Sequence, residues 1–264
     1  MTKTVVVEID GGIATITLNR PAVYNSLDPV MASELPQELE RLSADSEVRC
    51  VIIRGAGGQF MAGGDVAYFG KCLQLDRSER ETTVSKVIKD VHWAIGLIRQ
   101  MRKPVIAAVE GAAAGFGLSL VAACDLAIAA DNSFFTLAYR HIGISPDGGS
   151  TWFLPRIIGM KKTMEVALLG DRFDAAKAQE IGLINRAVPA DQFESAVQKL
   201  ANQLVSGPAH AMANTKALIN QSLTSDMAQQ LLAEEESFIE CSGTRDFAEG
   251  VTAFVEKRTP RFGG

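Results

Sequence analysis

Two stretches of this sequence share one design, and that design constrains the fold more than any other feature. Residues 49–54 (RCVIIR) form an apolar run followed by GAGGQFMAGGDV, and residues 105–109 form another followed by EGAAAGFGLSLVAACD. Each reads as a buried strand running into a glycine-rich turn that opens a helix. Glycine lets the backbone bend sharply and lets a ligand approach it closely. A helix start leaves N–H groups without intrahelical acceptors, and such groups hold negative charge. Two turns of this kind brought together form an oxyanion hole. Either one alone is an ordinary strand-to-helix connection.

The surrounding pattern supports an α/β core. Residues 4–10 alternate Val5, Val7 and Ile9 with Glu8 and Asp10, and residues 13–18 alternate Ile16 and Leu18 with Thr15 and Thr17. With Gly11-Gly12 between them they predict a hairpin. Asp28-Pro29 is a helix start, and Met31, Leu35, Leu39 and Leu42 follow at helical spacing. Short strands are expected at 126–129 and 134–136, and helices at 84–101 and 116–123. Alternating strands and helices indicate an α/β class. Beyond Asp171 the pattern predicts helices at 175–181, 190–204, 209–221, 227–239 and 245–257, a C-terminal third that is nearly all α. The last carries Phe247, Val251 and Phe254 on one face, with Pro260 as its stop.

Composition narrows the function classes. A chain of 264 residues supports one large core or a domain with an appendage, and 47% hydrophobic against 22% charged residues places it among globular proteins. The net charge is -5 and the pI about 5.3, and the basic clusters Lys161-Lys162 and Lys257-Arg258 are short. That balance argues against a nucleic-acid partner. Cys50, Cys72, Cys124 and Cys241 form no CxxC pair and read as reduced, mostly buried thiols of a cytosolic protein. His92, His141 and His210 lie far apart, so no metal site is expected. The opening MTKTVVVEIDGG is broken by Glu8 and does not read as a signal peptide, and the uncharged stretch 111–124 is too short to span a membrane. A soluble, cytoplasmic protein with no membrane partner is the expectation.

Several motifs then fall in one order. Asn19-Arg20-Pro21 with Asn25-Ser26-Leu27, Phe60-Met61-Ala62-Gly63-Gly64-Asp65, the segment 111–117 running to Cys124-Asp125, Ile144-Ser145-Pro146-Asp147-Gly148-Gly149, Leu154-Pro155-Arg156 and the tail Phe254-Val255-Glu256-Lys257-Arg258 span almost the whole chain. Together they resemble the crotonase (enoyl-CoA hydratase/isomerase) superfamily. The resemblance implies an α/β fold, the ClpP-like spiral of ββα turns. Its core would cover residues 1–200 and a helical trimerisation region residues 201–264, in a homotrimer or a dimer of trimers. It implies an acyl-CoA substrate, with CoA as part of that substrate and no separate cofactor. The implied oxyanion donors are the backbone N–H groups of Gly64 and Phe116. The implied CoA contacts are Ala62, Gly63, Asp65 and Val66, main-chain groups of Ala22 and Tyr24, Gly115 and Tyr139, and Phe254 and Lys257 from a neighbouring subunit.

Departures from the family pattern select among its reactions. The hydratase branch carries one glutamate just after the second glycine turn and another about twenty residues on; here Ser119 and Tyr139 stand in those places. Adding water needs both a base and an acid. The remaining candidate is Asp147, in Pro-Asp-Gly-Gly, a sequence that by itself makes a good turn. Several isomerases of the superfamily keep an acid at this position, including the ring-1,2-epoxyphenylacetyl-CoA isomerase branch, which SPDGGSTWFLPR resembles. A single carboxylate can take a proton from one carbon and return it two carbons along. Ile144, Pro146, Trp152 and Phe153 are expected to wall the acyl pocket around it, and residues 70–86 to line or lid it. The alternatives are a 4-chlorobenzoyl-CoA dehalogenase-like enzyme, in which Asp147 attacks a ring and His92 activates water, a hydratase with relocated groups, and a non-catalytic CoA-binding or RNA-binding paralogue.

Overall fold

The computed structural model describes residues 3–263; Met1, Thr2 and Gly264, at the outer ends of the opening segment and of the C-terminal region, lie outside the described residues. The hairpin forms as its alternation dictates: β1 (Val5–Asp10) pairs antiparallel with β2 (Ile13–Leu18). Three parallel neighbours follow, β3 (Cys50–Gly55), β4 (Val105–Val109) and β6 (Leu126–Ala130), and β9 (Arg186–Val188) closes the far edge. The large sheet therefore runs β1-β2-β3-β4-β6-β9. A small sheet of β5 (Ala112–Ala114), β7 (Phe134–Thr136) and β8 (Phe173–Asp174) stands beside it.

The period of two along the strands sorts the apolar residues onto two faces. Ile16, Leu18, Val51, Ile53, Ala107 and Val109 pack with helices α1 (Pro29–Ala44), α3 (Arg77–Gln100) and α4 (Phe116–Ala123). Cys50, Ile52, Ile106, Ala108 and Ile128 pack on the opposite face with Phe193, Val197 and Ala201. Those three residues belong to α8 (Phe193–Val205), the most sharply amphipathic of the helices that pack on the large sheet. A sheet covered on both faces explains why RCVIIR reads as a continuous apolar run.

The helix α1 begins as predicted, with Asp28 accepting from the Met31 N–H and Pro29 at its first position. Short elements escaped the sequence pattern. These are α5 (Ser150–Ile157), α6 (Met160–Leu169) and the strands β5, β8 and β9, whereas α2 (Val66–Cys72) opens from the first glycine turn and α7 (Ala175–Glu180) forms, both as expected. The C-terminal third is thus less purely helical than expected, because β8 and β9 each add to a sheet. The closing helices are α9 (Ala209–Ser222), α10 (Met227–Ser242) and α11 (Arg245–Val255). Pro260 does not stop α11. The helix ends at Val255, and Lys257 takes a left-handed conformation with φ 56°.

Lys216 fastens α9 to the core. Its ammonium lies 2.7 Å from a carboxylate oxygen of Asp125 and donates to the carbonyls of Ile98 and Lys103. Asp125 also accepts from the Val105 N–H, and Asn220 donates to the Arg99 carbonyl. By contrast, α10 has no buried residue, and Leu231, Leu232, Phe238 and Ile239 on it are all more than half exposed. No helix among the described residues is long and apolar enough to cross a membrane.

Candidate active site

The two glycine turns meet. Met61 donates its N–H to the Ala112 carbonyl and Ala114 donates to Met61, so the first turn is laid against β5, which leads into the second. At the contact, a Cβ on Gly115 would stand 3.5 Å from the Gly63 Cα, and one on Gly63 would stand 3.1 Å from the Ala114 carbonyl oxygen. Gly115 takes φ 53° and ψ -119°, a conformation open to glycine, and it caps α4. One cavity is lined by Gly63, Gly64, Gly115 and Phe116 together. Neither the Gly64 nor the Phe116 N–H has an acceptor among the described residues. The two residues that carry these unpaired N–H groups thus line one cavity, where an oxyanion hole would need them.

A third segment carries the acid. The chain passes from β7 through a 3-10 turn, Ala138–Ile142, closed by Gly143 in the left-handed region, and comes back to Asp147 before α5. Gly148 (φ 62°) lets this loop press on α4, where a Cβ would come within 3.0 Å of the Phe116 ring and of the Ser119 Cβ. Ser119 Oγ donates to the Asp147 carbonyl at 3.1 Å, and the Tyr139 hydroxyl donates to Asp147 Oδ1. Ser119 Oγ and Tyr139 Oη lie 3.3 Å apart. Among the described residues, Asp147 is the one carboxylate on the cavity wall. Burial raises its pKa above the usual aspartate value, against the opposing pull of the Tyr139 hydrogen bond and of the His92 charge. His92 is exposed on α3 and does not line the cavity.

The apolar wall differs from the expectation. Ile144 lines the cavity, but Pro146, Trp152 and Phe153 do not. Trp152 instead stacks under the Arg156 guanidinium, 4.2 Å from its ring centre, and edges onto Phe153, which Arg99 covers. The wall is supplied by Leu27, Phe69 of α2, and Val84, Val87 and Ile88 of α3. Within the expected lining segment 70–86, only Val84 reaches the cavity.

The other predicted contacts divide. Ala62 and Val66 line the cavity, and an adjoining cavity shares Ala62, Ala138 and His141 with it and carries Tyr24 on its wall. Asp65 lines neither cavity; its side chain caps α2 through the Ala67 and Tyr68 N–H groups and pairs with Arg20 at 2.9 Å. Tyr139 lines the cavity, with its hydroxyl at the Asp147 carboxylate. Ala22, Phe254 and Lys257 line neither cavity of their own chain, and Phe254 is 86% exposed.

One holding residue was not singled out from the sequence. Asn25 is fully buried with φ 55°; its Oδ1 accepts from the Arg20 N–H, and its Nδ2 donates to the carbonyls of Ala56 and Gln59. It ties the loop that carries Ala22 and Tyr24 to the first glycine turn. Leu27 completes the tie, donating to the Gly63 carbonyl and accepting from Asp65.

Known proteins share this arrangement at full length. The enoyl-CoA hydratase/isomerase family matches residues 8–264. A Rhodobacter capsulatus protein named "probable enoyl-CoA hydratase" is 38% identical over 258 residues, covering 97% of this chain and 96% of its own. The 1,2-epoxyphenylacetyl-CoA isomerase of Escherichia coli is 33% identical over 272 residues, covering 100% of both chains. The crystal structure of an enoyl-CoA hydratase from a Polaromonas species superposes with a TM-score of 0.92 at 34% identity, covering 98% of this chain and 99% of that one. With two glycine turns converging on one cavity and relatives that match from end to end, the chain belongs to the enoyl-CoA hydratase/isomerase family and has the crotonase fold.

Proposed function

We propose that this enzyme moves a carbon–carbon double bond in an enoyl-CoA ester, with Asp147 carrying the proton. The observation that supports this reading above all is the single carboxylate on a cavity wall that also carries two unpaired N–H donors. In a 3-enoyl thioester, the Asp147 carboxylate takes a proton from C2. The C–H bonding pair moves into the thioester as C3=C4 joins a dienolate, whose oxygen receives the Gly64 and Phe116 N–H groups. The protonated carboxyl then returns the proton to C4, and the electron pair settles as C2=C3. Nothing is gained or lost, and no further reactant is required. In this reading CoA is part of the substrate, and the main chain around Ala22, Tyr24, Ala62 and Gly63 holds it.

Hydration is disfavoured because Ser119 and Tyr139 occupy the places of the hydratase glutamates and neither is a carboxylate. Asp147→Asn tests the reading. It keeps shape but cannot accept a proton, so conversion of trans-3-hexenoyl-CoA to the 2-enoyl ester should fall on the order of 10²–10⁴-fold, with binding of the ester retained. Isomerisation at the wild-type rate would leave Asp147 as a turn residue. Water addition to a 2-enoyl ester at a comparable rate in the wild type would point to hydratase chemistry instead.

The assembly we infer is a trimer or a pair of trimers, supported by the uncovered apolar residues of α10 and α11. In it, Phe254 and Lys257 reach the CoA of a neighbouring chain. Light scattering at micromolar concentration checks this, and a monomer would refute it.

A further inference from the structure

We infer that Tyr139 is the positioning residue of the site: its phenol holds Asp147 Oδ1 and leaves Oδ2 as the oxygen that carries the proton. The inference rests on the reading of Asp147 as the base. Tyr139 is buried, and its hydroxyl donates to Oδ1. No group of another described residue donates to Oδ2. A carboxylate on its own turns with little restraint about its last bond. A shuttle cannot afford that freedom, because one oxygen has to face two carbons of the same substrate in turn.

The 3-10 turn supplies the restraint. Tyr139 is fixed at both main-chain ends, donating its N–H to Leu137 and accepting from Ile144. Residues eight apart in sequence are thereby brought face to face. Ser119 completes the clamp from α4 by holding the Asp147 carbonyl, so the main chain and the side chain of Asp147 are held from different elements. Both hydroxyls stand where the hydratase branch keeps glutamates. Here they grip the one remaining carboxylate in place of a second acid and base.

The electrostatics agree with the geometry. Burial, and next the Asp147 charge, push the Tyr139 phenol pKa up, so it stays a neutral donor across the physiological range. Its hydrogen bond favours the charged form of Asp147 and so works against the upward shift that burial causes. The other titratable groups near the carboxylate are Tyr68 on α2 and His141 in the 3-10 turn, both on the cavity wall, and His92 on α3, whose charge acts on Asp147. Ser119 on α4 does not titrate. Because the His92 charge acts on Asp147, the measurement is made in a His92→Ala background.

Two substitutions at one position test the inference. Tyr139→Phe removes only the donor, and Tyr139→3-fluorotyrosine keeps ring and hydroxyl but makes the donor stronger. The first readout is the titration of Asp147 itself, followed by 13C NMR on carboxyl-labelled aspartate and assigned by its loss in Asp147→Asn. Tyr139→Phe should move that titration upward by about 1–2 pH units, and the fluorinated residue should move it downward. A purely structural role predicts no such opposite pair. The second readout is turnover of trans-3-hexenoyl-CoA: Tyr139→Phe should lower kcat by about 10–100-fold with KM little changed. If Tyr139→Phe does not fold, the fluorinated enzyme decides. An Asp147 titration unmoved by the substitutions overturns the inference. Should Asp147→Asn remain active while the titration shifts as expected, the pairing stands and the assignment of the base fails.

Discussion

The large sheet and the closing helices are held by different forces. Strands β3 and β4 are packed on both faces, and Ile53 and Ile106 are fully buried within one chain. Helices α9 to α11 bury little: α9 has Ala213 and Asn214, α11 has Ala253, and α10 has none. Their attachment is polar, through Lys216 with Asp125 and through Asn220 with Arg99. Every described residue lining the cavity around Asp147 lies before Ser150, within the region that packs on both faces of the large sheet. The closing helices leave Phe238, Phe254 and Val255 uncovered in a single chain. Hydrophobic burial scales with area and tolerates small shifts, whereas a buried ion pair fails as a unit when one partner is lost.

Lys216→Met attacks that polar attachment and has the largest expected effect. It leaves the Asp125 charge buried with Arg99, 3.8 Å away, as its remaining charged partner. The cost should be about 3–5 kcal/mol in denaturant unfolding, with hydrogen exchange rising first in α9 to α11. Uniform loosening of the sheet and helices together would erase the distinction between the regions. Gly64→Pro acts in the other region. It deletes one main-chain donor, so turnover should fall roughly 10²–10³-fold while the mass measured by light scattering stays unchanged.

Phe238→Ser separates the two regions from the opposite side. Phe238 is 71% exposed in one chain. Its loss should change the stability of an isolated chain by no more than about 0.5 kcal/mol yet weaken assembly at low protein concentration. Asp147→Asn should not lower the melting temperature at neutral pH. The folded state raises the Asp147 pKa, so its stabilising contribution is complete at low pH and is lost as pH rises through that raised value. The asparagine variant has no such charge to bury. The smallest effect is expected for His92→Ala, whose side chain is outside the cavity: double-bond migration should change no more than a few-fold. Complete loss of activity with the fold retained, and halide release from 4-chlorobenzoyl-CoA by the wild type, would favour the dehalogenase alternative.

Much of the large sheet was legible because its strands are long enough to show a period. RCVIIR and residues 105–109 announce buried strands, and Asp28-Pro29 announces α1. The strands β5, β8 and β9 have only two or three residues, too few for alternation to register. The helix α5 contains Pro155 at a position where proline speaks against a helix, yet the helix forms within one short stretch. At the site, Gly64, Phe116 and Asp147 were visible through the resemblance, and the structure brings them to one cavity. The pairing of Tyr139 with Asp147 was not, because it depends on how a 3-10 turn returns the chain. Trp152 and Phe153 were assigned to the wrong wall, since their place in sequence beside Asp147 says nothing of which side of α5 they occupy.

The oxyanion donors proposed at Gly64 and Phe116 belong to the peptide backbone, and this bears on how such a protein would diversify. A point substitution other than to proline changes a side chain and leaves the amide in place, so in the proposed mechanism the part that steadies the enolate is largely sheltered from mutation. Positions 119, 139 and 147 enjoy no such shelter. Each can trade hydroxyl, carboxylate or amide in a single replacement, and in the proposed mechanism each trade would change which groups can move a proton at the stabilised intermediate. Under the proposed mechanism, the type of reaction would turn on these three positions while the backbone donors stay in place.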